Sequence, residues 1–394
     1  MFATLWHGTD ALAPSDKPGW TDVKDTLTLS DYGKTLAWHN QATSVQIPRG
    51  DRAPTLSTAY VDELMALVKA HTEGRHQNHI TILVHGFLFD PSEQEPDPSD
   101  PDDPRTGVFA VPGKERQPGE SWLPIFNVRD ATAAADAPLL CFCWTSRGAW
   151  ARASWSNPYL YPLFDLAPQA ARALAGVIQA LHANGITIDI LAHSLGTRVA
   201  LKAMGYLDGK TKASAVRRMV LLNGAEYSID ARDAIEGAAT HVFNLVNSND
   251  AVLSTFAEQA AVPFRAQTMR ESWVIGYRGV RPTETWIDIA MVPTQTAQQK
   301  KQKAVFKALG QFTIESGPDS QRGPHWINYR APENQRFIRM LLSDPGMSPS
   351  FLRSLGIVEG FNASAGAAAY GDIAGIPVPQ PPLTSAQRKQ QTWP

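Results

Sequence analysis

Cysteine is scarce in this sequence, which has only Cys141 and Cys143 among its 394 residues. The two lie two positions apart in an apolar run, so in a strand both side chains would point to the same face, and cysteines this near each other in the sequence do not bridge easily. No third cysteine offers another partner. We therefore expect two reduced thiols in a core strand rather than a disulfide framework, which is typical of a cytosolic protein.

An excess of charge of either sign is also missing. The 36 Lys and Arg residues are balanced by 38 Asp and Glu residues, for a formal net charge of −2, so the composition gives no reason to expect a nucleic-acid partner. No apolar stretch reaches the roughly 20 residues that a membrane helix needs. The first residues lack the basic segment of a signal peptide and are soon interrupted by Asp10. These features predict a cytoplasmic protein without an integral membrane segment.

Sequence motifs for metals and nucleotides are absent as well. The chain contains no His-Glu-x-x-His, no Gly-x-Gly-x-x-Gly and no Walker loop. His71, His76 and His79 are close in sequence, but they span a predicted helix end, a polar loop and a strand start, and are not expected to converge on one ion. We expect neither a metal nor an organic cofactor.

What the sequence does contain is an alternation of short apolar runs with helical patterns. Strands are predicted at 79–84, 138–144, 186–191, 218–222, 241–246, 273–277 and 286–292, with two less secure pieces at 4–7 and 26–29. Helices are predicted at 60–71, 167–183, 197–207, 229–236 and 333–342. This alternation predicts an α/β fold with a mostly parallel central sheet and helices on both faces.

The domain organisation follows from where this regularity holds. A length of 394 residues fits one enlarged domain as well as two, and we expect one main α/β domain over 56–345, with loop or lid insertions at about 88–130, 145–165 and 254–320. The first of these contains a proline-rich acidic surface loop at 90–104. Residues 1–55 are expected to form an N-terminal extension packed on the core. Residues 346–394 are expected to form a C-terminal extension with a disordered end.

The chemistry is concentrated in the segment Ala-His-Ser-Leu-Gly, residues 192–196. A predicted strand precedes it and a predicted helix follows, so Ser194 would stand in a sharp strained turn, clear of the sheet. The residues two positions away must be small to avoid a clash, and Ala192 and Gly196 are. The helix aims its positive end at the turn, which lets the Leu195 N–H donate to an oxyanion.

With this segment the sequence resembles the α/β-hydrolase superfamily, and within it an esterase-like branch of bacterial serine hydrolases. The superfamily usually has glycine where this chain has Ala192, a mild departure because alanine is the next smallest residue. The resemblance implies the α/β-hydrolase fold. It also implies that the His85-Gly86-Phe87 turn supplies the second oxyanion donor, the Phe87 N–H, with His85 structural rather than catalytic.

The resemblance further implies the order nucleophile, acid, base along the chain. Of the two histidines after Ser194, His241 begins a predicted strand, whereas His325 lies in a loop before a helix, as the superfamily's base does. Asp250 follows the strand at 241–246 and is the expected acid. Glu226, which follows the preceding strand, remains as a reserve acid.

We therefore expect a Ser194–Asp250–His325 triad that cleaves small-molecule carboxylic esters through an acyl-enzyme. Two alternatives stay open. One is an acyltransferase, or a thioester, lactone or peptide hydrolase, with the same triad. The other is a non-catalytic binding module on the same fold.

Overall fold

The structure is a computed structural model that describes most of the chain in segments. The described residues are 2–9, 25–32, 38–47, 52–72, 78–87, 89, 107–115, 117, 119–130, 138–144, 146, 166–254, 273–280, 282–291, 296–310 and 323–357. The predicted acidic loop at 90–104, nearly all of the insertion at 145–165 and the predicted disordered end lie outside them.

In the described part of the chain, nine strands form one sheet. Their bounds are β1 Phe2–Thr9, β2 Asp25–Tyr32, β3 Trp38–Ile47, β4 His79–Val84, β5 Leu139–Trp144, β6 Thr187–His193, β7 Val216–Leu222, β8 His241–Val246 and β9 Trp286–Ala290. Their order in the sheet is β3-β2-β1-β5-β4-β6-β7-β8-β9. The strands from β4 to β9 are all parallel. The mostly parallel α/β architecture predicted from the sequence is confirmed.

The N-terminal strands extend this sheet at one edge. β1 pairs with β5 in parallel, Phe2 lying opposite Leu139, and the antiparallel strands β2 and β3 follow. The two short pieces predicted near the N-terminus are therefore parts of longer strands that belong to the central sheet.

Helices cover both faces of the sheet. Their bounds are α1 Thr58–Thr72, α2 Ala167–Ala183, α3 Leu195–Tyr206, α4 Gly209–Ser214, α5 Ser228–Ile235, α6 Ile275–Arg278, α7 Thr296–Ala308, α8 Gly323–Arg330, α9 Pro332–Ser343 and α10 Pro349–Leu355, with a short 3-10 helix at Leu123–Phe126. Residues of α1, α2, α3 and α5 pack in one buried apolar layer. Residues of the 3-10 helix, α7, α9 and α10 pack in a second layer on the opposite face.

Strand β4 shows why two layers form. Ile80, Ile82 and Val84 belong to the first layer, whereas Leu83 belongs to the second. Successive side chains of a strand point to opposite faces, so a continuous apolar run supplies both layers at once. This accounts for strands that are apolar throughout rather than alternating with polar residues.

The predicted strand at 273–277 is wrong. Val274 makes a single bridge to Tyr227, and the chain then turns into the short helix α6. The position beside β8 is taken by β9. Gly276 instead packs against the turn after β7, where an added Cβ would lie 2.1 Å from the Gly224 nitrogen. Close contact between two backbones replaces strand pairing here.

One prediction about the base is wrong: His325 was expected in a loop, but it lies in the first turn of helix α8, which the sequence pattern did not predict. The short helices α4 and α10 were not predicted either. Asp208 caps α4 by accepting hydrogen bonds from the backbone N–H groups of Lys210 and Thr211, and α10 begins after Ser348, which caps it by accepting from the Phe351 N–H. Among the described residues no helix is long and apolar enough to cross a membrane.

Candidate active site

Ser194 stands at the junction of β6 and α3 in a strained backbone conformation. Its φ is 52° and its ψ is −124°, a region that residues with a side chain rarely occupy. The Ser194 N–H donates to the Leu222 carbonyl at 2.9 Å, and the Ser194 carbonyl accepts from the Ala225 N–H at 2.8 Å. The turn after β7 therefore holds the strained residue on both sides.

Two glycines allow the turns after β4 and β6 to touch. A Cβ added to Gly196 would lie 2.2 Å from the His85 carbonyl oxygen, and one added to Gly86 would lie 2.9 Å from the Ser194 Cβ. Both distances are shorter than non-bonded atoms tolerate. The small residue required at position 196 is thus dictated by the end of β4, which brings the His85-Gly86-Phe87 turn directly against Ser194.

The two expected oxyanion donors lie on either side of this contact. Leu195 is the first residue of α3, and the N–H of a first helical residue has no acceptor within its own helix. Phe87 directly follows Gly86 and is partly exposed. Both backbone positions adjoin the Ser194 turn.

His85 serves to fix the β4 turn. Its Nδ1 donates to the Gly86 carbonyl at 2.9 Å, its Nε2 accepts from the Trp144 N–H at 2.9 Å, and its carbonyl accepts from the Trp144 indole at 2.9 Å. Burial lowers the pKa of His85 to about 3, against an opposing contribution from the Gly86 hydrogen bond. A neutral imidazole with both nitrogens engaged holds the loop.

His325 and Asp250 form a buried pair. The His325 Nδ1 lies 2.6 Å from the Asp250 Oδ2, and the two residues are 5% and 0% exposed. The Asp250 Oδ1 accepts from the Leu253 N–H at 3.0 Å. Burial raises the pKa of Asp250, but the charge of His325 and the hydrogen bonds to the carboxylate outweigh it, so the pKa is lowered. The carboxylate stays ionised and holds the imidazole by Nδ1, which leaves Nε2 for chemistry.

His193 joins this pair to the Ser194 turn. Its Nε2 donates to the backbone carbonyl of His325 at 2.9 Å, and the two rings lie 4.7 Å apart. Burial, then the charge of His325, lowers the pKa of His193 well below its usual value. His325 therefore lies beside the residue that precedes Ser194. Within the described residues, no hydrogen bond joins the Ser194 hydroxyl to the His325 imidazole.

The reserve acid and the other histidine lie apart from this arrangement. Glu226 is buried and forms an ion pair with Arg198, and it accepts from the Tyr227 N–H at 2.7 Å. Burial raises the pKa of Glu226, with the charge of Arg198 acting in the opposite direction. His241 begins β8, whereas Asp250 follows the end of that strand. Only Asp250 is hydrogen-bonded to His325 among these candidates.

Three residues of this site were not singled out from the sequence: His193, Asn223 and Asn328. Asn223 donates to the Asp250 Oδ2 at 2.7 Å and accepts from Asn328. Asn223 and Gly224 directly follow β7, and an Asn-Gly turn at a strand end was the one local signal that could have identified Asn223. No local pattern marks Asn328, because its partner lies on another element.

All of these turns follow strands at the carboxyl edge of the parallel sheet, where α/β proteins bind ligands. Within the described residues, no group of three or more His, Cys, Asp or Glu side chains could hold a metal ion. A scan against protein-family models and a search of curated proteins returned no match to this chain.

Proposed function

We propose that this protein is a serine hydrolase of the α/β-hydrolase type that cleaves carboxylic esters, with Ser194 as nucleophile, His325 as general base and Asp250 as the acid. The observation that carries the proposal is the strained backbone of Ser194 beside a buried His325–Asp250 pair. Strain of this kind persists where the surroundings enforce it and clusters at catalytic sites.

The expected reaction is acyl transfer to Ser194 and then to water. The hydroxyl oxygen attacks the ester carbonyl carbon while His325 Nε2 takes its proton. The imidazolium then gives this proton to the departing alcohol. Water attacks the acyl-enzyme with His325 again as base, which releases the acid and restores Ser194. No step needs a metal or an organic cofactor.

Charge on the tetrahedral intermediate falls on the former carbonyl oxygen. In this proposal the Leu195 and Phe87 N–H groups donate to it, supported by the contact between Gly86 and Ser194. One such donor is typically worth about 3 kcal/mol of transition-state stabilisation. The preference for esters rests on resemblance to the superfamily, in which esterases are common. The two cysteines are buried and form no disulfide, which agrees with the cytoplasmic location that we propose.

The first test compares wild type, Ser194→Ala and Ser214→Ala with a fluorophosphonate probe and with short and long p-nitrophenyl esters. Ser214 is exposed and precedes β7, at the opposite edge of the sheet, so it is a serine control remote from the site. We expect wild type and Ser214→Ala to be labelled and active, and Ser194→Ala to lose label and at least about a thousandfold in kcat.

Equal labelling or turnover in Ser194→Ala would refute Ser194 as nucleophile. A wild type that neither labels nor turns over any ester would favour the non-catalytic binding module. Adding a competing alcohol separates the remaining alternative, because an acyltransferase forms a new ester where a hydrolase forms only the acid.

A further inference from the structure

Asn223 occupies a position that links the expected acid to the expected base. It follows β7, is fully buried, and adopts a φ of 47°, a left-handed conformation that asparagine tolerates better than most residues. Its backbone N–H donates to the Leu245 carbonyl at 3.2 Å. The side chain is thereby directed from the end of one strand toward the turn that follows the next strand.

Both ends of the Asn223 amide are engaged. Its Nδ2 donates to the Asp250 Oδ2 at 2.7 Å, which is the oxygen that also faces the His325 Nδ1. Its Oδ1 accepts from the Asn328 amide, and Asn328 lies on α8 together with His325. The amide thus bridges the Asp250 turn and the helix that carries the base.

The orientation of this amide follows from the chemistry of its partners. An ionised carboxylate can only accept hydrogen bonds, so the Asn223 NH₂ group must face Asp250. The carbonyl end then faces Asn328, which must present its own NH₂ group. A bridge that fixes both amides in this way has a single arrangement, and it is worth more than two separate contacts.

From this geometry we infer that Asn223 is a positioning residue: its side chain holds the Asp250 carboxylate and the His325 imidazole in the relative orientation that catalysis requires. The inference rests on the proposed function. Without the bridge, the Asp250 carboxylate would keep, among the described residues, only the Leu253 N–H and His325 as hydrogen-bond partners. The contact of Asn328 on α8 with the turn after β7 would also be lost. A hydrogen-bonded carboxylate orients an imidazole better than one free to rotate.

Asn223 also moderates the charge that His325 experiences. Its N–H stabilises the charge of the carboxylate by a hydrogen bond, so without it the unchanged charge of Asp250 is less screened at His325 and favours the imidazolium more strongly. The other ionisable groups acting here are His193, whose ring adjoins His325, and Arg330, whose charge acts on His193. Removal of Asn223 is therefore expected to raise the pH at which the base becomes active.

The experiment compares Asn223→Gly with Asn127→Gly. Both asparagines have positive φ, 47° and 62°, and glycine accepts this conformation. Asn127 caps the carboxyl end of the 3-10 helix, an element that carries none of the proposed triad residues, so it controls for the effect of the substitution on the backbone. The rate of fluorophosphonate labelling at Ser194 is measured against pH, with circular dichroism as a check on folding.

We expect Asn223→Gly to label about ten- to a hundredfold more slowly than wild type, since a hydrogen bond to a charged group is lost. The acid limb of its profile of labelling rate against pH should move to higher pH. Asn127→Gly should show the same labelling rate and the same pH profile as wild type. Asn328→Ala should slow labelling less, and the double variant should match Asn223→Gly, because the two amides act as one unit. A wild-type rate, or a slower rate with an unmoved acid limb, would overturn the inference.

A second readout does not depend on activity. The Nδ1 proton of His325, which lies between His325 and Asp250, is expected to give a downfield imidazole resonance in the proton NMR spectrum. The resonance is assigned by its loss in His325→Gln. We expect this resonance to broaden or shift in Asn223→Gly and to persist in Asn127→Gly. An unchanged resonance in Asn223→Gly overturns the positioning role, even if wild type fails to label and the proposed function itself falls.

Discussion

At the residue scale, Ser194 couples backbone strain to the expected chemistry. Of the non-glycine residues with positive φ in the described part of the chain, two are asparagines and the third is Ser194. Asparagine tolerates such a conformation, but serine gains nothing from it locally. The strain must be offset by two backbone hydrogen bonds: the Ser194 N–H donates to the Leu222 carbonyl, and the Ser194 carbonyl accepts from the Ala225 N–H.

This strain predicts that Ser194→Gly is more stable than Ser194→Ala. Both variants lack the hydroxyl, but alanine keeps the steric strain of this backbone, about 1–3 kcal/mol, and glycine does not. The greater conformational freedom of glycine in the unfolded chain lowers its stability by about 0.4–1 kcal/mol, which offsets part of this gain. Urea unfolding should place the glycine variant about 1 kcal/mol above the alanine variant. An alanine variant of equal or greater stability would mean that Ser194 is not strained.

His85 predicts a particular dependence of stability on pH. Burial lowers its pKa to about 3, whereas an unfolded histidine titrates near about 6.5. Because the pKa of His85 is lower in the folded protein, the unfolded chain binds a proton at this residue between about pH 3 and pH 6.5 and the folded protein does not. The stabilising contribution is complete above about pH 6.5 and is lost as the pH falls toward about 3, at up to about 1.4 kcal/mol per pH unit.

The check is the free energy of unfolding against pH for wild type and His85→Gln. Glutamine has a terminal amide that can replace one ring nitrogen and does not titrate. The variant is expected to be less stable at neutral pH and to lose less stability on acidification. Parallel curves for the two proteins would show that His85 does not remain neutral in the fold.

At the element scale, α3 is held against β4 by the absence of a side chain at Gly196. A Cβ there would meet the carbonyl oxygens of His85 and Val84, at 2.2 and 2.5 Å. These atoms belong to the end of the central strand β4 and to the first residue of the turn that follows it, so they cannot move independently of the sheet. The same contact brings the β4 turn to Ser194, so packing of the helix and formation of the site depend on one residue.

Gly196→Ala should therefore lower the free energy of unfolding by at least about 3 kcal/mol and abolish labelling of Ser194. Gly205 in the same helix is the matched control, because an added Cβ there meets nothing within 4 Å. Gly205→Ala should raise stability by about 0.5–1 kcal/mol through helix propensity. A mild effect at Gly196 would refute the tight contact between α3 and β4.

At the scale of the whole molecule, the parallel sheet assembles the site. Gly86, Ser194, Asn223 and Asp250 follow β4, β6, β7 and β8, which are neighbours in the sheet. Parallel neighbouring strands end at the same edge, so residues distant in sequence converge there. The two buried layers, one on each face, keep these strands fixed and make the edge a rigid support.

The sequence by itself determined the features that depend on local patterns. Apolar runs alternating with helical patterns predicted the α/β sheet, because a strand buried on both faces must be apolar throughout. The strand, small residue, Ser194, small residue, helix order predicted the turn at 194, since the steric demand of that turn is local. The predicted strand at 273–277 was wrong because the local apolar pattern does not indicate the close contact of the Gly276 backbone with the turn after β7.

Only the tertiary structure decided which side chains meet. Asp250 and Glu226 both follow strands, and local sequence gives no reason why one pairs with His325 and the other with Arg198. Local sequence also could not predict that β1 pairs with β5 or that Asn223 and Asn328 form a hydrogen bond. Partners in such contacts lie far apart in sequence, so their pairing is set by strand order and by the packing of helices on the sheet.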